Sequence, residues 1–235
     1  SAASCYCPIT NLENADKYLR ISVDAAEKII NSGNFTVYST GNIEDDYHAL
    51  FNQQDYSNNK EAIFFAAYVT DKRMNNRPRT VRESYTGMTK DFVESFLCDD
   101  GKPFALSDRY KGDVKFTDEF ENRDPRLAST IVYHGHSYPG GSPIDTESGR
   151  DQAFTNGGAT PTGYYTRKYY DYNLVAGGNG SGLNIIYLRY ADILLMYAEA
   201  MAEQNKLTEE VWNKTIRPLR VRAGVRVDLP ADYKG

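Results

Sequence analysis

Tyr187-Leu-Arg-Tyr-Ala-Asp-Ile-Leu-Leu-Met-Tyr-Ala-Glu-Ala-Met201 is the stretch whose reading decides the fold. Leu188, Ala191, Leu195, Ala198 and Ala202 recur at the three-four spacing that aligns side chains along one helix face. Tyr187, Tyr190, Leu194, Tyr197 and Met201 form a second apolar stripe beside it. Only a narrow line through Arg189, Asp192, Glu199 and Glu203 is polar, so a helix over 187–202 should be buried on most sides. An unpaired buried charge is costly, so Arg189 or Asp192 should be buried and paired. The alanines let a neighbouring helix approach closely. The neighbour in sequence runs over about 208–223, capped by Thr208, with Glu209 and Glu210 in its first turn and Gly224 at its end. Pro218 must kink or restart that helix.

Working outward, Asn11 or Asn14 can cap an earlier helix that runs to Ser32 and stops at Gly33. Its inner face is Ala15, Leu19, Val23, Ala26 and Ile30. A short extended segment, Phe35-Thr-Val-Tyr38, follows. Glu61 to Thr70 reads as a strand apolar on both faces. Thr89 caps a short helix whose Phe92, Val93, Phe96 and Leu97 share a face, and Asp99-Asp-Gly-Lys-Pro103 makes a turn. From Tyr133 to Gly182 the chain is rich in Gly, Ser, Pro and Tyr and has no stable period, the mark of a functional or disordered loop.

The totals narrow the function. A net charge of −5 and a pI near 5.3 argue against nucleic acid as a partner. No apolar run approaches the ~18 residues that a membrane helix needs. Cys5, Cys7 and Cys98 make no metal signature. His134-Gly-His136, even with Asp145 or Glu147, falls short of a metal site. Gly177 to Gly182 lacks the strand and Lys-Ser/Thr of a phosphate cradle and reads as a flexible connector. No nucleophile elbow occurs, and no carboxylate pair stands out, so neither an enzyme nor a cofactor is expected. Lys214, Arg217, Arg220, Arg222 and Arg226 form a basic cluster expected to pair with Asp192, Glu199, Glu209 or Glu210 across the hairpin. Nineteen tyrosines against one tryptophan exceed what a core needs, because each phenol requires a partner or water. The loops between Lys72 and Tyr172 therefore carry the expected ligand surface. Tyr110, Tyr133, Tyr138, Phe154 and Tyr164 are the stacking platforms, and Arg79, Asp145 and Asn156 the nearest hydrogen-bonding residues.

Leu188-Arg-Tyr-Ala-Asp-Ile-Leu-Leu-Met-Tyr-Ala-Glu-Ala200 followed by Ile216-Arg-Pro-Leu-Arg-Val-Arg-Ala-Gly224 resembles the SusD/RagB family of outer-membrane nutrient-binding lipoproteins. Similar blocks occur in order at Tyr18 to Gly33, Met88 to Pro103, Asn122-Arg-Asp-Pro-Arg-Leu127 and Gly163-Tyr-Tyr-Thr-Arg-Lys-Tyr169, so the resemblance spans about residues 12–226. It requires helix, and no strand, through 189–200. It assigns Arg126, Arg167, Lys168 and Arg189 mainly to structure. The implied fold is mostly α, with tetratricopeptide-like helical hairpins, a large irregular, loop-rich insert and a few short strands. Residues 1–235 would be one SusD-like domain fragment, with a helical layer at 12–33 and 187–226 and the insert at 35–186. The family's lipidated N-terminal portion would precede residue 1, and its closing blocks would follow Gly235.

The implied function is capture of a glycan or oligosaccharide at the cell surface for a TonB-dependent, SusC-like outer-membrane transporter. The membrane would be reached only through a lipid anchor absent from this chain. A peptide-binding member of the same family, a helical-repeat protein-interaction scaffold and a glycoside hydrolase are the alternatives.

Overall fold

The structure is a computed structural model that describes residues 12–83, 87–110, 112, 115, 117–137, 143–144, 160–175 and 180–228. Helix α1 (Leu12–Asn31) is followed by Gly33 at φ +68° and lays its inner face along a second long helix, α6 (Tyr190–Glu203). Ala15, Leu19 and Ala26 of α1 are buried, and Ala26, with Val23, Ile29 and Ile30, packs into one cluster with Ala191, Leu194 and Ala198 of α6. The small residues on both faces are what permit the approach. A hydrogen bond from Tyr197 Oη to Glu27 Oε1 (2.8 Å) fixes the register of the pair. The fold is mostly α-helical, as the resemblance implies.

The central stretch is not one helix. Ile185–Arg189 forms strand β4, antiparallel to β1 (Ala62–Ala66), and α6 begins at Tyr190. Strand thus reaches Arg189, the first residue of the interval expected to be wholly helical. The apolar spacing from Tyr187 onward satisfies both periods, and β1 decides between them by offering pairing partners to Ile185, Ile186, Leu188 and Arg189. At the junction the Asp192 carboxylate accepts the Arg189 N–H (2.9 Å), which satisfies one of the unpaired donors of the helix start. Strand β1 is shorter than expected, and it is not buried on both faces. The ribbon has two strands, so Phe64 and Tyr187 stand side by side on its open face, 61% and 62% exposed.

After α6, the chain turns back as α7 (Glu209–Lys214) and α8 (Ile216–Ala223). Pro218 has no N–H to give the Lys214 carbonyl, and the helix restarts at Thr215, whose hydroxyl donates to the Val211 carbonyl (2.6 Å). Gly224 ends α8 at φ +69°, and a Cβ there would lie 2.5 Å from Ile43 Cγ2. That contact docks the hairpin on helix α2 (Ile43–Phe51), whose start Asn42 caps.

The insert is less irregular than its composition suggests. It holds α2, α3 (Arg77–Glu83), α4 (Lys90–Glu94) and α5 (Pro125–Thr130), together with a short antiparallel pair, β2 (Ile131–Val132) and β3 (Tyr165–Thr166). Val93, Phe120, Leu127, Ile131 and Tyr164 form a core of their own. In the glycine-rich stretch, Ser181 bridges to Asn75, and Gly182 lies so close to Thr70 that a Cβ would meet its hydroxyl at 2.4 Å. Close packing, not flexibility, accounts for that glycine.

Glu61 binds these parts together. Its carboxylate is fully buried, accepting Arg189 Nη1 at 3.0 Å and Arg222 Nη1 at 2.6 Å, while the Glu61 carbonyl accepts the Tyr190 N–H at 2.7 Å. Arg189 is thus buried and paired, as expected, but with Glu61 as well as Asp192. The basic cluster does not pair across the hairpin as expected. Arg222 goes to Glu61, Arg217 to Asn213, Arg226 to Asp228, Lys214 to Asn31, and Arg220 to the Arg226 carbonyl. Glu61 was not visible as a partner because it lies 128 and 161 residues from its arginines.

Arg189→Met leaves Glu61 Oε1 without its cation while Arg222 still holds Oε2, so stability is expected to fall by about 1–3 kcal/mol in urea denaturation, with the slope unchanged. An unchanged midpoint would mean that Glu61 is solvated after all.

Candidate functional site

The insert and the helical layer meet at Tyr47, on α2. Four cations surround its ring: the guanidinium carbons of Arg126, Arg189 and Arg222 lie 6.0, 5.9 and 5.7 Å from the centroid, and Lys168 Nζ lies at 5.4 Å. Helix α5 supplies Arg126. Asp124 caps that helix by accepting the Arg126 N–H (2.9 Å), and Pro125 pre-sets its first turn. The same carboxylate takes Arg126 Nε and Nη2, leaving Nη1 with no acceptor among the described residues. The turn after β3 supplies Lys168, whose ammonium sits 3.7 Å from the centroid of Phe51. Among the described residues it has no carboxylate within ion-pair distance, and its hydrogen-bonding partner is Tyr47. Burial lowers its pKa from the ordinary lysine value; the Tyr47 phenol opposes that and Arg189 adds to it.

Arg126 and Lys168 line a cleft of about 430 Å³ whose other wall is α4 and the residues after it. That volume lies in the range of small-molecule sites. Met88, Phe92, Phe96 and Leu97 make the wall apolar. Val93, on the reverse face of α4, is fully buried and pins the wall in place, while Phe92 remains 38% exposed at an edge-to-face distance of 5.4 Å from Phe96. Ser95 Oγ donates to the Phe92 carbonyl (2.6 Å) and Thr130 Oγ1 to the Arg126 carbonyl (2.7 Å). Their protons are committed, so both hydroxyls offer only lone pairs to the cleft. An aromatic wall, cationic donors and hydroxyl acceptors together suit a ring that is apolar on its faces and polar at its edge.

A second cleft, about 550 Å³, runs between residues 37–43 and α8 and is lined by Val37, Ile43, Pro218 and Val221. Two of its three charged groups are already spent, while among the described residues Arg217 bonds only the Asn213 side chain. Asp46 accepts from Ser39 and Thr40, and Arg222 is held by Glu61.

The structure brings two of the expected platforms together but gives neither an open ring. Tyr164 is buried, its hydroxyl donating to the Glu119 carboxylate (3.0 and 3.1 Å) and its ring edge-on to Phe120. Tyr133 is stacked between Phe120 and His136, each 3.8 Å away. Packing explains both: the Tyr164 hydroxyl finds a buried acceptor, and both faces of the Tyr133 ring are covered by its stacking partners. Tyr110 lies apart, its ring 4.0 Å from Phe104. Arg79 falls within α3, but its side chain lies outside the described residues, as do Tyr138, Asp145, Phe154 and Asn156. Sequence reasoning missed Tyr47, Phe92, Phe96 and Lys168 as cleft residues. The shared face of Phe92 and Phe96 was legible, but that it is left partly open was not.

The chain belongs to the SusD family: the SusD_RagB family model matches residues 50–232. Solved structures agree on the fold. A SusD-like carbohydrate binding protein from Bacteroides fragilis aligns with a TM-score of 0.72 at 24% identity, over 91% of this chain and 42% of that one. A second SusD-like protein from B. fragilis gives 0.66 at 21% identity, over 92% and 46%. A SusD superfamily protein from Parabacteroides distasonis gives 0.57 at 20%, over 94% and 42%. The chain thus spans less than half the length of these relatives. No curated protein sequence matches it.

Two imidazoles, one buried and one half-buried, flank this region. His48, on α2, has Nε2 without a partner among the described residues, and His136 caps the Tyr133 stack. Burial, and then the Arg167 guanidinium, lowers the pKa of both from the ordinary value. The unfolded chain therefore binds more protons than the folded one once pH falls below about 6.5. Stability should be full above that pH and decline as it drops through the depressed folded values. The check is urea denaturation at about pH 7.5 and about pH 5.5, where His48→Gln should show a smaller difference than the parent.

Proposed function

We propose that this protein is a glycan-binding member of the SusD family that captures oligosaccharide at the cell surface and passes it, without catalysis, to a TonB-dependent, SusC-like outer-membrane transporter. Attachment to the outer membrane would be through a lipid anchor. The observation that carries the reading is the cleft between α4 and α5, where exposed Phe92 and half-buried Phe96 face Arg126 and Lys168. A pyranose stacks its C–H face on such a wall while its hydroxyls meet donors on one side and the Ser95 and Thr130 lone pairs on the other. The description of the B. fragilis relative as carbohydrate binding supports the same reading. Tyr110, Tyr138, Phe154, Arg79, Asp145 and Asn156 are proposed as flanking contacts for a longer sugar chain.

Calorimetric titration with a panel of oligosaccharides tests the proposal. Affinity is expected in the micromolar to millimolar range, roughly −8 to −4 kcal/mol. Phe92→Ala should weaken it by about 1 kcal/mol through loss of stacking. No reducing sugar should appear on prolonged incubation; its release would identify a hydrolase. Full binding by a folded Phe92→Ala variant would place the site elsewhere.

A further inference from the structure

We infer that the cleft selects acidic sugars: its ligand carries a carboxylate or sulfate ester that settles between Lys168 and Arg126 while the ring lies against Phe92 and Phe96. This rests on the reading of the cleft as the glycan site and adds the charge of the ligand.

The lining residues carry two positive charges and no carboxylate, although the chain as a whole has a net charge of −5. Neighbouring arginines account for their charge inside the protein. Arg189 and Arg222 share Glu61, and Arg189 also meets Asp192. Lys168 differs. Its ammonium is held among Phe51, Tyr47 and Tyr169, with only a phenol as hydrogen-bond partner. Aromatic faces attract a cation, but they do not replace the carboxylate that a buried ammonium ordinarily has. Arg126 spends two of its three nitrogens on Asp124 and keeps Nη1 unspent. Two unspent cationic donors flanking one cleft offer charge-assisted hydrogen bonds, about twice as strong as neutral ones. A neutral sugar would leave Lys168 with Asp192 as a carboxylate acting only from beyond ion-pair distance, whereas an acidic one supplies a direct counter-charge. The Ser95 and Thr130 lone pairs then suit the hydroxyls on the rest of the ring.

Carboxylate and sulfate share this chemistry, and the choice of probes separates them. The protein is titrated with a galacturonic acid oligomer, its neutral methyl ester, a sulfated galactan oligomer and an acidic peptide of equal charge, each at low and high salt. The acid or the sulfated oligomer should bind about tenfold more tightly than the methyl ester, and the advantage should shrink at high salt. Lys168→Met, checked for folding by circular dichroism, should lose most of that preference, and Lys168→Arg should keep it. Equal binding of acid, sulfate and ester overturns the inference; if Phe92→Ala still weakens all of them, the cleft remains the glycan site. A preference that survives Lys168→Met also overturns it, as does tighter binding of the acidic peptide than of either charged oligomer.

Discussion

A single carboxylate, fully buried between two guanidinium groups, sets the geometry on which the rest depends. Glu61 immediately precedes β1, Arg189 closes β4 and opens α6, and Arg222 sits near the end of α8. Placing one anion between them fixes ribbon, central helix and returning hairpin against one another. Burying charge has a large desolvation cost, and such a pair is favourable only when its remaining lone pairs are satisfied. Here the Tyr38 N–H supplies a further bond to Oε2. The segment after α1 is thereby tied to the same point.

That arrangement also builds the inner wall of the cleft. Arg189 and Arg222 reach past Glu61 to flank the Tyr47 ring, and Arg126 and Lys168 flank it from the insert. Like charges this close repel in a medium of low dielectric constant unless anions lie between them. Glu61, Asp192 and Asp124 pair directly with the arginines, whereas among the described residues Lys168 feels Asp192 only from beyond ion-pair distance. The surplus of positive charge is thus confined to one side chain, and that side chain lines the cleft.

The abundance of tyrosine has a different meaning from the one composition suggests. Tyr56 donates to the Leu50 carbonyl, Tyr169 bonds both the N–H and the carbonyl of Ile186, Tyr164 reaches Glu119 and Tyr197 reaches Glu27. These phenols act as polar pins inside apolar clusters. The most open ring in the cleft is that of Phe92, which has no hydroxyl to satisfy and costs little at a half-wet site.

The sequence alone determined that 12–31 and 190–203 carry helices with alanine faces suited to close packing; it pointed to 208–223 as the neighbour of the central helix, and the structure gives that place chiefly to α1. It also determined the stops at Gly33 and Gly224, the restart forced by Pro218, and the corner built on Asp124-Pro-Arg126, since these are local matters of backbone geometry and hydrogen-bond supply. The expectation of a largely buried, paired Arg189 holds, but its place is in strand β4, where Glu61 takes it in from solvent. Tertiary structure alone decided that Tyr187 and Leu188 are strand, because only β1 brings pairing groups to them. It alone decided which anion meets Arg222, and which aromatics stay open. Those outcomes depend on contacts between residues more than a hundred positions apart, and no periodicity in one segment records what another segment, folded against it, will cover.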